Sequence, residues 1–271
     1  MLSFPNAKIN LGLHIVDKRP DGYHDLETIF YPVNLYDAVE IVPLSSGSTT
    51  FSSEGIVIPG KGMNLCERAY HLIQQDFDIP SVAIHLLKRI PIGAGMGGGS
   101  ADAAYVLKML NDQFELQLSV VQLENYAKQL GADCPFFIEN KPVYATGIGT
   151  DFAPIEVNLS AYYIVIVNPN IHISTVEAYS GVAAKTPEFD LRSIIQLPIQ
   201  DWKYYLNNDF ELTIFEQFPK IKELKDAMYS SGALYAAMSG SGSSVFGIFE
   251  NPVVLDDLKI YGDIYYPIDL S

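Results

Sequence analysis

Positive charge is scarce in this 271-residue chain: 17 Lys and Arg stand against 32 Asp and Glu, a formal charge of −15 at pH 7. A surface of that sign repels both the phosphate backbone of nucleic acid and an anionic bilayer, so neither is expected as a partner. A small anionic ligand stays possible, because a few local donors outweigh a distant net field. Cysteine is nearly absent as well. Cys66 and Cys134 are too few for a disulfide framework and fit a reducing compartment. Long apolar runs are missing: the densest, residues 162–167, falls far short of the roughly 18 residues a membrane span requires and reads as a buried strand. The opening Met1-Leu2-Ser3-Phe4-Pro5 leads into no basic segment followed by an apolar block, so a soluble, cytoplasmic protein is expected. His14, His71, His85 and His172 have no partners at metal-ligand spacing, and no resident metal site is expected.

What is present is ample apolar material. Hydrophobic residues make up 48% of the chain, enough for a packed core, and the length fits one large domain or two modest ones. Ala7, Ile9, Leu11, Leu13 and Ile15 alternate with Lys8, Asn10, Gly12 and His14, which predicts a strand with one buried and one polar face. Arg19-Pro20-Asp21-Gly22 is a turn signal. Strands are predicted over 38–42 and 82–86. Helices are predicted after Asn64, a plausible N-cap, and over 101–110; a third starts at a Ser119/Gln122 capping box and ends near Gly131. Past Thr150 come a strand over 162–168, two or three helical segments including 221–229, a Gly/Ser loop at 239–244 and a strand at 245–249. A boundary near 150–158 divides the chain into residues 1–155 and 156–271. Strands and helices mix without regular alternation, so the fold class is α+β.

The most informative stretch is residues 91–100: Pro91, then Gly93, Gly95, Gly97, Gly98 and Gly99, closing on Ser100 before a helix. Glycines permit positive φ and close approach of a ligand to the backbone. The helix start adds unpaired N–H groups and partial positive charge, so the combination predicts an anion cradle, most often for phosphate. Gly93-x-Gly95-x-x-Gly98 also matches the dinucleotide fingerprint, but no later strand ends in the required acidic residue. Residues 55–62 nearly spell a Walker A loop. Gly62 stands where a Ser or Thr hydroxyl is needed, and that reading is rejected. The loop Met238-Ser239-Gly240-Ser241-Gly242-Ser243, set between apolar segments, reads as either a wide turn or a clamped binding element.

Pro5-Asn6-Ala7-Lys8-Ile9-Asn10-Leu11, the loop at 91–100 and the loop at 238–243 are together similar to the three motifs of the GHMP kinases. That family includes galactokinase, homoserine kinase and mevalonate kinase. Arg19-Pro20-Asp21-Gly22-Tyr23-His24, the segment 130–137 around Asp133, and Asn208-Asp209-Phe210-Glu211 resemble the branch that phosphorylates diphosphocytidyl-methylerythritol on the way to isoprenoid precursors. The resemblance implies an N-terminal domain like domain 2 of ribosomal protein S5 and a C-terminal domain with a ferredoxin-like core. It implies ATP with Mg²⁺, held by Asn64, Pro91, Gly93, Gly95, Gly97, Gly98, Gly99 and Ser100. It makes Asp133 the catalytic base, with Lys8 as its partner, and assigns Asn10, Tyr23, His24 and Tyr179 to the substrate. Taken alone, each has a plainer reading: a turn aspartate, a solvated lysine, an N-cap asparagine, one packing tyrosine among 17. Ser100 is followed by Ala101 where many of these loops carry a second Ser. Other readings are a different GHMP kinase, acting on homoserine or mevalonate, or a non-catalytic nucleotide or sugar sensor. Asp21-Gly22-Tyr23-His24 disfavours the first, and a sensor needs neither Lys8 nor Asp133.

Overall fold

In the computed structural model, residues 1–60 and 62–267 are described. Lys61 of the Walker-like stretch and the last four residues of the expected C-terminal domain lie outside them. No described helix is long and apolar enough to cross a membrane. The backbone divides into two units, one comprising Met1–Ala7, Leu35–Ile92 and Gly97–Lys141, the other Lys8–Asn34, Gly93–Met96 and Pro142–Ser271.

The first unit carries a four-stranded sheet in the order Leu2–Ser3, Ala38–Pro43, Val82–Lys88, Thr50–Gly55. The last two strands pair in parallel and the others antiparallel. A parallel pair needs a crossover connection, and the helix Leu65–Asp76 supplies it. That helix starts where the sequence predicts. Asn64 accepts from the Glu67 N–H while the Glu67 carboxylate accepts from the Asn64 N–H, a reciprocal capping box. Ser119 and Gln122 repeat the device at the start of Val120–Leu130, and Gly131 ends that helix. Between them runs Gly98–Gln113, packed on both helices and on Ala38–Pro43.

The second unit holds most of a sheet ordered Asn6–Lys18, His24–Tyr36, Val143–Thr146, Asp151–Pro154. It also holds an antiparallel sheet ordered Tyr235–Met238, Val245–Phe249, Tyr163–Asn168, Asp263–Tyr265. Counted along the chain the latter reads 2-3-1-4, the ferredoxin-like arrangement that the resemblance implies. Phe210, Ile214, Ile221, Leu224 and Met228 from the helices Phe210–Gln217 and Pro219–Ser230 join Val165, Val167, Val245 and Phe249 in its core.

Three expectations need correction. The first strand buries both faces, not one: Lys8, Asn10 and His14 on its polar side are each no more than 6% exposed. Residues 207–209 lie along it, with the Leu13 N–H donating to the Asn207 carbonyl and the Asp209 N–H to the Leu13 carbonyl. The 13-residue strand His24–Tyr36 was not expected, because the consecutive apolar residues Ile29, Phe30 and Tyr31 shift its alternation from one face to the other. After the polar stretch at 185–190 there are four helical segments before the next strand, rather than two or three: Leu191–Ile194, Ile199–Tyr205, Phe210–Gln217 and Pro219–Ser230; a further one, Thr175–Ser180, precedes that stretch.

Candidate active site

In the first unit, the glycine run turns into the helix Gly98–Gln113. Its N-cap is Gly97, in the left-handed region at φ 67° and with no side-chain cap, so the first-turn N–H groups keep their donor capacity for a ligand. Ser100 is therefore the third residue of the helix, not its cap as the sequence implied. A Cβ on Gly98 would lie 2.7 Å from Ile90 Cγ2 and 2.9 Å from Lys88 Nζ, which explains the glycine at this point. A Cβ on the exposed Gly99 would make ordinary contact, at 3.7 Å, with Leu65, next to Asn64. Pro91 is buried at the entry to the run.

The turn carrying Asp133 lies beside this helix start. A Cβ on Gly131 would sit 3.3 Å from Cys134 Sγ and 4.0 Å from Ser100 Oγ. Ser100 is hydrogen-bonded to the Cys134 thiol, whose pKa burial pushes up to about 11, so Cys134 is a neutral packing group rather than a nucleophile. Asp133 is half-buried.

Beneath the same helix start lies a cluster that sequence reasoning missed. Lys88, at the end of its strand, forms ion pairs with Asp37 and, at 2.7 Å, with Asp102; all three are at most 2% exposed. Two carboxylates thus share one buried ammonium. Burial raises the Asp102 carboxyl from 3.8 to about 7; the Lys88 ammonium opposes this and the Asp37 charge adds to it. Because the folded value is the higher one, the native chain holds a proton that the unfolded chain has already released. Stability attributable to Asp102 is therefore present at low pH and is lost as pH rises between about 4 and about 7. Urea unfolding at about pH 5 and about pH 8 is expected to show a smaller loss in Asp102→Asn than in the parent; equal losses would contradict this assignment.

In the second unit, residues 93–96 are clamped by the Gly/Ser loop. The Ser239 hydroxyl donates to the Gly95 carbonyl at 2.9 Å, and the Ser244 N–H donates to the Ala94 carbonyl. The Lys8 N–H donates to the Met96 carbonyl at 3.0 Å. Gly95 has φ 80°, and a Cβ there would run into the Ser239 carbonyl. Gly95→Ala is expected to cost about 1–3 kcal/mol in a urea melt and to lose nucleotide affinity; an unchanged midpoint would contradict the clamp. Asn208 holds the loop from behind, its amide donating to the Met238 and Gly240 carbonyls at 2.8 Å each.

The buried face of the first strand continues from here. Lys8 Nζ donates to Asn10 Oδ1 at 2.6 Å and lies 4.9 Å from the Phe30 ring centroid. The Asn10 amide donates to the Thr28 hydroxyl, which donates to the Gly12 carbonyl. Gly240 comes close to the same asparagine: a Cβ on it would be 3.3 Å from Asn10 Oδ1. Further along, His24 stacks on Tyr179 with centroids 4.8 Å apart and planes at 22°. Tyr179 in turn meets Phe210 edge-on. Tyr23, beside them, is 63% exposed.

A glycine-rich helix start, a flanking aspartate turn and a second Gly/Ser loop are the ingredients of a small-molecule kinase. The family model described as "GHMP kinases N terminal domain" matches residues 64–141, and "GHMP kinases C terminal" matches residues 199–259. The chain belongs to the GHMP kinases and is an ATP-dependent kinase of small molecules. Among its curated relatives, the 4-diphosphocytidyl-2-C-methyl-D-erythritol kinase of Parabacteroides distasonis is 50% identical over 266 residues, covering 98% of this chain and 97% of that one. The enzyme of the same name from Bacteroides fragilis is 52% identical over 92% of each chain. A crystal structure of 4-(cytidine 5′-diphospho)-2C-methyl-D-erythritol kinase superposes with TM-score 0.85 at 32% identity, covering 98% of both chains. The Methanococcus jannaschii mevalonate kinase shares the fold, with TM-score 0.73 at 12% identity over 98% of this chain and 97% of that one.

Proposed function

We propose that this protein transfers the γ-phosphoryl group of ATP to a hydroxyl of 4-diphosphocytidyl-2-C-methyl-D-erythritol, releasing ADP, in the cytoplasmic synthesis of isoprenoid precursors. The observation that carries this reading is near-full-length identity of about half to kinases of that name, and the sites of both units fit the chemistry it requires. Phosphoryl transfer asks a protein to position two reactants and to stabilise charge on the transferring oxygens. The N–H groups at Gly98, Gly99 and Ser100 and the approach through Pro91, Gly93, Gly95 and Gly97 would cradle the phosphates, with Asn64 fixing the neighbouring helix start. Asp133 would orient the substrate hydroxyl and accept its proton, and Lys8 would balance the charge that develops there. Mg²⁺ would be held mainly by nucleotide phosphates and water, where it would neutralise phosphate charge.

The cytosine would be held by Tyr23 and His24. Tyr179, whose ring also stacks on His24, would stack on the base from the opposite side. Asn10 would contact the methylerythritol end through the amide it shares with Lys8 and Thr28. Residues 1–155 would form the ATP-binding domain and 156–271 its C-terminal companion, the two family matches falling one in each. No nucleic acid or membrane takes part.

Measuring ADP release with each of three alcohols tests the reading. ADP is expected with the diphosphocytidyl alcohol and at background with homoserine and mevalonate. Comparable turnover of homoserine or mevalonate would move the protein to another branch of the family. Tight nucleotide binding with no turnover of any alcohol would make it a sensor.

A further inference from the structure

We propose that Lys88 and its two carboxylates, Asp37 and Asp102, are positioning residues for the nucleotide: one buried ammonium ties the backbone that enters the glycine run to the helix that leaves it. The inference rests on the reading of that helix start as the ATP phosphate site. The geometry sits entirely within the first unit. On the entry side, Asp37 uses one carboxylate oxygen for Lys88 Nζ and the other for the N–H groups of Arg89, at 2.5 Å, and Ile90, at 2.8 Å. The backbone of Lys88 is fixed independently, its carbonyl accepting from the Ile56 N–H with Gly55 pressed against it. On the exit side, Asp102 sits one turn into the helix Gly98–Gln113 and accepts from the same ammonium at 2.7 Å. The distance from Lys88 Nζ to a Cβ on Gly98, 2.9 Å, places the charge directly under the first turn.

A hydrophobic side chain at 88 would be the economical choice for a buried strand end. Burying one ammonium with two carboxylates costs desolvation that packing alone would avoid, and among the described residues Asp102 Oδ1 has no hydrogen-bond partner. What the arrangement gives in return is direction. Charge-assisted hydrogen bonds fix the relative orientation of two backbone segments more tightly than apolar contact does. The first-turn amides are then held in place before the phosphates arrive, so binding ATP spends less on ordering them. The Cys66 thiol, near enough to feel the charges of Lys88, Asp37 and Asp102, is kept protonated by its burial.

The test compares Asp102→Asn and Asp102→Ala with the parent, measuring KM for ATP, KM for the alcohol, kcat, and binding of a non-hydrolysable ATP analogue by calorimetry. Losing one charge-assisted hydrogen bond predicts a rise in the KM for ATP of about tenfold or more in the Ala variant, and of about two- to fivefold in the Asn variant, which keeps a neutral acceptor. The KM for the alcohol is expected to stay within about twofold of the parent, because only the nucleotide side is loosened. If the Ala variant does not fold, the Asn variant decides on the same criterion. Parent-like ATP binding in a folded variant, or both KM values rising together, would overturn the proposal. Absence of analogue binding to the parent protein itself would overturn the ATP-site reading, and the proposal with it.

Discussion

Asp133→Asn is expected to lower kcat by about 10²–10⁴ while leaving the KM for ATP within a few-fold of the parent, the pattern of a lost general base. The expectation rests on where the residue falls. Gly131 ends one helix, Pro135 precedes the short helix Phe136–Glu139, and the turn between them lies against Ser100 in the first turn of the helix Gly98–Gln113. Asn keeps the size and shape of the side chain, so the neighbouring Ser100–Cys134 contact survives and the loss reports on the carboxylate itself. Steady-state kinetics with both substrates varied settles the matter. A kcat within about threefold of the parent would remove Asp133 from the reaction, because even the weakest general-base contributions exceed that.

Lys8→Met is expected to cost a comparable amount, about 10²–10³ in kcat, through lost stabilisation of developing charge. Met preserves most of the buried stem, which packs near Phe30, and deletes the ammonium that donates to Asn10. The signature lies in the split between parameters. If Lys8 serves the reacting hydroxyl, kcat falls much more than the affinity for ATP. Equal loss of both would mark Lys8 as a phosphate-binding lysine instead. A urea melt alongside separates either outcome from instability, since Asn10 keeps Thr28 as its other partner in the variant.

Local signals carried much of the fold. The caps at Asn64 and Ser119 are legible because each capping box closes within four residues and depends on nothing distant. The strand over residues 6–18 is legible from its period, but its burial is not: Phe30 lies against Lys8, Thr28 against Asn10, and Asp209, far along the chain, against His14. His24–Tyr36 escapes because a strand buried irregularly on both faces shows no clean alternation. At the site, the glycine spacing foretells an anion cradle, yet the reason for Gly95 in particular appears only once the Ser239 carbonyl is seen against it. Lys88, Asp37 and Asp102 were silent for a similar reason. Each looks ordinary where it stands, and only the packing of strand, connecting turn and helix brings them together. The one local trace was Asp102 itself, a charge between Ala101 and Ala103 on an otherwise apolar helix face.

Distant relatives sharpen the division between scaffold and chemistry. A mevalonate kinase at 12% identity keeps the architecture, so the fold alone fixes neither the alcohol nor the base that selects it. Under the proposed reading, selectivity would reside in the side chains around His24, Tyr23 and Asn10, and the comparison of alcohols discriminates between family branches.

The most direct measurement follows the phosphorus. ATP labelled at the γ position, incubated with the protein and the diphosphocytidyl alcohol, is expected to pass its label to the alcohol as a phosphate monoester, one for each ADP formed. Label recovered as inorganic phosphate, or retained in ATP while the protein is saturated with both ligands, would contradict the account.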